Sequence, residues 1–421
     1  MIQFTTRTKE YIKLAGVSIL IGFLCALLGD SLKKMTAYYE DHFVAVASKN
    51  WLLYILFPVA GLSVIHLLRT YLFKKKENKG IKEIFETLKT RHNELPVFKI
   101  PSHYINGFLT VIFGGSTGIE VSTVVASATV GAVVQKKAHI HTAFRKELIY
   151  AGVAAGVAAL FNSPIAGILF SLEVISKKVS LNALISIFIA VLTVTAVNFI
   201  LHGEPLFKLT ITSWNYYAIP YFIVLGVIAG LNAVYLTKTV LFFKKQFGRL
   251  NQYALKILIS AVILSTALLF FPQLYGDGYF AMENIFTASA HEHVFSYGLL
   301  VLAGSLLLFK PIVTSATLAS GGDGGVFAPS LFMGAFLGLL TAAILNQYFN
   351  AQVIPVNFMV IGMAAVLSAS LHAPFTAVFL VCGLVDNYIL FVPLFIACLF
   401  SMLVAKMIYP YTVYTYLPAV K

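Results

Sequence analysis

The chain has 421 residues, 59% of them hydrophobic and 11% charged, with a mean hydropathy of +0.86. Soluble domains carry about 25% charged residues, so this composition excludes a soluble globular protein and points to a polytopic membrane protein. The formal net charge of +13 would suit nucleic acid. The basic residues, however, sit in short segments between apolar runs, where they orient membrane proteins, so no nucleic-acid partner is expected.

Apolar runs occupy most of the length from Leu14 to Tyr409, and a single transmembrane domain over residues 1–421 is expected, embedded in the lipid bilayer. The first run, Leu14–Gly29, follows Arg7, Lys9 and Lys13 as in a signal peptide, but no small-x-small site precedes Asp30, so a retained helix is expected. Helices are expected near Leu14–Leu32 and Trp51–Phe73. Between them, Thr36–Asn50 holds one lysine against Glu40 and Asp41. By contrast, Arg69–Lys82 holds Arg69, Lys74, Lys75, Lys76, Lys79 and Lys82 against Glu77 alone. This asymmetry predicts that the second segment, and with it the N-terminus, is cytoplasmic. Cys25, Cys382 and Cys398 lie inside apolar runs, so neither a disulfide framework nor a metal cluster is expected.

Gly80–Lys89 has helical spacing but is too short and too charged to cross a bilayer alone. Tyr104–Phe113 is about half a span, and Gly114-Gly-Ser-Thr-Gly-Ile-Glu-Val-Ser122 interrupts it before a helix over Ile119–Val134. Irregular backbone at that depth is tolerated only where it is buried in protein or lines a cavity. An ionisable group there, Glu120, is a functional-site candidate. The small-residue run Ala151–Leu160 follows, and a new helix starts at Pro164.

Longer runs at about Leu181–Leu201, Tyr217–Phe243, Leu255–Phe271 and Phe295–Phe309 read as scaffold helices. The broken pattern then returns as Gly321-Gly-Asp-Gly-Gly-Val-Phe-Ala-Pro329, where Gly325-Val326-Phe327 answers Gly118-Ile119-Glu120, and a helix restarts at Pro374. From Glu120 to Pro164 is 44 residues, and from Phe327 to Pro374 is 47. Matched interruptions in two halves, about 14–201 and 217–416, point to a transporter site near the bilayer midplane.

Each interrupted segment opens a helix whose N-terminus carries unpaired N–H donors and about half a positive charge. Two such ends converging bind an anion through the amides of Ile119, Val326 and Phe327, and Gly118 and Gly325 let the backbone come close. Glu120 at the same place competes with the anion, and protonation releases it, which makes a proton-coupled gate. For one motif alone, glycines that merely ease helix packing are the plainer reading. An intramembrane serine hydrolase using Ser116 with His103 or His372 as base finds no support in the spacing.

The run Gly321–Ser330 resembles the hallmark motif of the CLC family of chloride channels and proton-coupled anion transporters. Ala154–Glu173, Ala373-Pro-Phe-Thr-Ala377 and Val385-Asp-Asn-Tyr388 are similar to the family's segments in the same order, so the resemblance spans nearly the whole chain. It implies an all-α polytopic fold of broken and tilted helices in two inverted repeats, and a homodimer with one pathway per subunit. It also implies a bacterial-type transporter of the cell membrane without a regulatory domain, not an enzyme and with no cofactor, that takes chloride or a related anion together with protons. Glu120 matches the outer gating glutamate, although the usual Gly-Arg-Glu-Gly-Pro reads Gly118-Ile-Glu-Val-Ser122 here. Val326 and Phe327 match the residues whose amides hold the central anion. Tyr414 matches the tyrosine whose hydroxyl contacts it, with Tyr411 and Tyr416 close in register. Glu204, in Leu201-His-Gly-Glu-Pro205, falls where proton-coupled members place an inner proton-transfer glutamate. The first family motif, usually Gly-Ser-Gly-Ile-Pro, reads Asn78-Lys-Gly-Ile-Lys82, so Lys79 replaces an anion-coordinating serine. Its ammonium is expected at the inner end of the pathway, the alternative being one more loop charge. The expected function is proton-coupled chloride antiport. The alternatives are a passive channel of the same fold or a transporter for fluoride or nitrate.

Overall fold

In lipid every backbone polar group must be satisfied within its own segment, which drives long apolar runs into helices. The computed structural model describes residues 2–74, 76, 78–89, 94–176, 180–201, 204–289 and 296–416, with side chains from residue 10 onward. The first half forms α1 (Ile2–Lys49), α2 (Leu53–Leu67), α3 (Ile81–Lys89), α4 (Lys99–Ile112), α5 (Glu120–Lys137), α6 (Arg145–Phe161), α7 (Pro164–Leu169) and α8 (Leu181–Ile200). The second forms α9 (Ile219–Gly248), α10 (Tyr253–Phe270), α11 (Tyr279–Ser289), α12 (Tyr297–Ala319), α13 (Phe327–Phe349), α14 (Pro355–Leu371), α15 (Pro374–Leu384) and α16 (Phe391–Ile408). No strand occurs among the described residues. Eight helices (α1, α2, α8, α9, α10, α12, α13 and α16) are long and apolar enough to cross a membrane.

Two boundaries differ from expectation. Thr36–Asn50, expected as a loop, continues α1 to 48 residues, about 70 Å at 1.5 Å per residue and far more than a bilayer requires. The extension holds because Thr36 and Glu40 turn inward and are buried while their neighbours face out. Helix α12 likewise runs past Phe309 through Lys310 and Pro311 to Ala319. Both residues are buried against the protein, where a proline's freed carbonyl finds partners.

The core is the set of helices that the glycines and prolines interrupt. Every residue of α14 is buried, as is nearly all of α5 and the first two thirds of α13. Helices α13 and α14 touch backbone to backbone at Gly334, Gly338 and Gly362, where any side chain would overlap the other helix. α7 packs on α15, so the two proline-started segments meet as the two glycine-broken ones do. Helices α1 and α2 are joined by a tight turn at Asn50, which places the Arg69–Lys82 segment on the face opposite that turn. That face is the basic face of the molecule.

Candidate ion-transport site

Gly118 and Gly325 form an isolated antiparallel bridge, which draws the N-termini of α5 and α13 to one place. Hydroxyls brace the crossing: Ser116 N–H donates to Thr317 Oγ1 (3.1 Å), Thr117 Oγ1 to the Asp323 carbonyl (3.3 Å) and Asp323 N–H to Thr110 Oγ1 (2.9 Å). The glycines are required by contact. A Cβ on Gly118 would fall on the Glu120 carboxylate, and one on Gly325 would lie 2.8 Å from Tyr414 Oη and inside the Val121 side chain.

Glu120 is the first residue of α5 and is 1% exposed. Tyr279 Oη donates to its Oε1 at 2.6 Å, while Oε2 has no hydrogen-bond partner. The amides of Glu120 and Ala328 lie within electrostatic reach of the same carboxylate. The side chain therefore sits among the first-turn donors of both helices, where an anion would sit. Ile119 and Val326 stand just before α5 and α13, and Phe327 opens α13. The Phe327 ring is buried among Phe161, Phe170 and Tyr414, with centroids 6.4, 5.5 and 6.5 Å away.

Of three neighbouring tyrosines the structure brings Tyr414 to the cluster: it is buried, and its oxygen accepts from Val326 N–H at 3.2 Å. Its own hydroxyl hydrogen remains free for an anion. Tyr411 is exposed and meets Tyr409 and Tyr416 edge to face instead.

Two expected residues lie elsewhere. The Lys79 ammonium points outward, 57% exposed, and meets Glu86 at 3.5 Å, as the alternative of a loop charge would have it. The chain reverses at Gly80 (φ +64°), which sends the Lys79 side chain out and that of Asn78 in. Asn78 Nδ2 donates to Asp323 Oδ2 and to Ser102 Oγ, and Lys99 Nζ donates to Asn78 Oδ1 (3.1 Å). Glu204, expected as an inner proton-transfer residue, is at the surface. It pairs with Lys208 at 2.6 Å with both side chains about two-thirds exposed, and this hydrogen bond holds its carboxyl below the usual carboxylate range. Its carbonyl accepts from Lys33, at the far end of the first apolar run from Arg7, Lys9 and Lys13, so it lies away from the basic face.

Sequence reasoning missed two buried ionic clusters. On the basic face, His103 is fully buried, with Nδ1 3.1 Å from Asp323 Oδ2 and Nε2 3.7 Å from Glu83 Oε1. Lys99 pairs with Glu83 at 3.0 Å, and Arg69 stands beside Asp323. His103 thus faces carboxylates, and Ser116 Oγ has no hydrogen-bond partner, so the hydrolase arrangement is not formed. Away from that face, the fully buried Lys310 donates to the carbonyls of Gly276 (3.2 Å) and Asp277 (3.4 Å) and stands 4.6 Å over the Phe332 ring. Glu40 Oε1 accepts from Asp277 N–H at 3.1 Å, and Asp277 Oδ1 accepts from Tyr279 N–H at 2.8 Å. A lysine closing an apolar run was the available signal for Lys310; nothing local marked His103.

The family profile described as voltage gated chloride channel matches residues 60–406. The chain belongs to that family. It is 28% identical over 433 residues to the H(+)/Cl(−) exchange transporter ClcA of Salmonella arizonae, covering 96% of this chain and 88% of the relative. It matches the ClcA of Salmonella schwarzengrund with 28% identity, covering 95% and 87%. Among solved structures, a slow cyanobacterial Cl−/H+ antiporter superposes with a TM-score of 0.82 at 22% identity, covering 96% of both chains. A CLC-type fluoride/proton antiporter superposes at 0.78 with 24% identity, covering 95% of this chain and 96% of the other. These likenesses make the fold that of CLC transporters, an all-α, multi-pass membrane architecture.

Proposed function

We propose that this CLC protein exchanges chloride for protons across the cell membrane. The single observation that carries the reading is the Glu120 carboxylate lodged where the α5 and α13 N-termini converge, beside the Val326 amide and Tyr414. Chloride, drawn to the amides of Ile119, Val326 and Phe327, and an ionised Glu120, beside the amides of Glu120 and Ala328, compete for the same pair of helix N-termini, each of which offers about half a positive charge. Protonation removes the competitor's charge, so the carboxyl leaves as chloride enters. One group then carries the proton in one direction and vacates the site for chloride in the other. Tyr279 steadies the ionised form from the side away from the basic face.

In this reading the protein is a transporter and not an enzyme, its basic face and N-terminus are cytoplasmic, and residues about 14–201 and 217–416 form two inverted repeats. It assembles as a homodimer with a pathway in each subunit. The name of the ClcA relatives supports chloride as the anion.

The test is purified protein in liposomes loaded with chloride, with chloride efflux and proton uptake recorded together. Proton uptake against its own gradient, driven by outward chloride, is the expected result. Chloride efflux with no proton movement would make the protein a passive pathway and end this reading.

A further inference from the structure

We propose that His103, held between Glu83 and Asp323, is the proton-transfer group on the basic face of the anion site. The proposal rests on the exchange function above, which needs a titratable route from that face. Glu204 does not provide one: it is exposed, ion-paired and on the wrong side of the molecule.

The geometry is that of a relay. Asp323 lies in the Gly321–Gly325 loop, two residues before the Gly325 that bridges to Gly118, and is 4% exposed. His103 is fully buried. Each of its ring nitrogens faces one carboxylate oxygen, Nδ1 to Asp323 at 3.1 Å and Nε2 to Glu83 at 3.7 Å, and neither completes a well-aligned hydrogen bond. Glu83 is itself buried (8% exposed) and accepts from the backbone amide of Lys79, whose side chain is exposed. Also facing the pair are Lys99 on Glu83, and Arg69, the Asn78 amide and the Gly324 N–H on Asp323, with Ser102 bonded to Asn78 behind them. A histidine serving only to pack would gain nothing from two carboxylates. One serving only as a fixed cation would be better replaced by lysine or arginine.

A proton arriving on Glu83 passes to Nε2, and the resulting imidazolium gives its Nδ1 proton to Asp323, leaving the Nε2–H tautomer. The ring exchanges tautomer before the next cycle. The long Nε2 distance suits a transfer whose hydrogen bonds tighten only when the proton is present. Asp323 then holds the proton two residues before Gly325 of the bridge, and Glu120, the proposed acceptor on the other side, lies two residues after its partner Gly118.

The experiment is the paired chloride and proton assay on His103→Gln, an amide that fills the space but does not titrate. Chloride flux is expected within about twofold of the unsubstituted protein, while protons moved per chloride fall at least about tenfold. Glu83→Gln is expected to lower the same ratio, and Glu204→Gln to leave it unchanged. An unchanged ratio in His103→Gln overturns the assignment. If that variant does not fold, an unchanged ratio in both Glu83→Gln and Asp323→Asn overturns it equally. An unsubstituted protein that moves chloride without protons fails earlier, at the exchange function itself.

Discussion

The two buried clusters on either side of the bridged glycines are built to opposite electrostatic designs. Away from the basic face, Glu40, Asp277 and Glu120 share one basic residue, Lys310, so three acids against one base leave a formal −2 if all ionise. On the basic face, Glu83 and Asp323 meet Lys99 and Arg69, two against two, and His103 moves that balance from 0 to +1. Uncompensated buried charge costs several kcal/mol per ion. The first cluster cannot keep all its carboxyls ionised without stranding charge, and Glu120, the proposed gate, is one of its members through Tyr279. The second balances with His103 neutral, so a proton taken up there leaves a formal +1 and is favoured to move on. In the proposed exchange the first cluster would store protons and the second would pass them on, one on either side of the anion site.

Substitutions in order of expected effect sharpen the contrast. Glu120→Gln should bring proton uptake down to that of empty liposomes, because an amide carries no proton, and surviving uphill proton movement in the paired assay would break the gate assignment. Lys310→Met should lower stability by about 3–5 kcal/mol, since it leaves Glu40 and Asp277 without their counter-charge. Thermal unfolding in detergent reads this, and Lys310→Met with Asp277→Asn should recover part of the loss if the two act together.

Tyr279→Phe removes a hydrogen bond to an ionised carboxylate, worth about 1.5–3 kcal/mol. Glu120 should then yield the site more readily and chloride should bind at least about tenfold tighter by calorimetry. Unchanged affinity would mean that the hydroxyl does not hold the gate. Tyr414→Phe should weaken chloride binding about fivefold, the value of one neutral hydrogen bond near 1 kcal/mol.

The smallest effects belong to the two residues outside both clusters. Lys79→Met should leave chloride affinity within error, because its exposed pair with Glu86 is screened at physiological salt. Glu204→Gln should leave transport unchanged. Lys208 depresses the Glu204 carboxyl, so any stabilisation is present above the ordinary carboxylate range and fades as the pH falls through the depressed value. With both partners exposed, the unfolding midpoints of this variant and the unsubstituted protein should coincide at pH 7 as well as in acid.

The residues show where local signals end. Apolar runs, glycine breaks and the carboxylate at Glu120 were legible because each is a pattern within a dozen residues, and lipid leaves the backbone little choice but helix. By that route the sequence alone determined the membrane class and the broken core helices, and it suggested that the two breaks face one site; the structure joins them at Gly118 and Gly325. Only the tertiary structure decided which tyrosine reaches Val326, that Lys79 turns out while Asn78 turns in, and on which face Glu204 emerges. It also decided the clusters themselves. Glu40 meets Asp277 across 237 positions, and His103 finds Asp323 on another helix's entry loop. Buried charges select partners by proximity in the folded core, where the dielectric is low, and that proximity leaves no periodic mark in the chain.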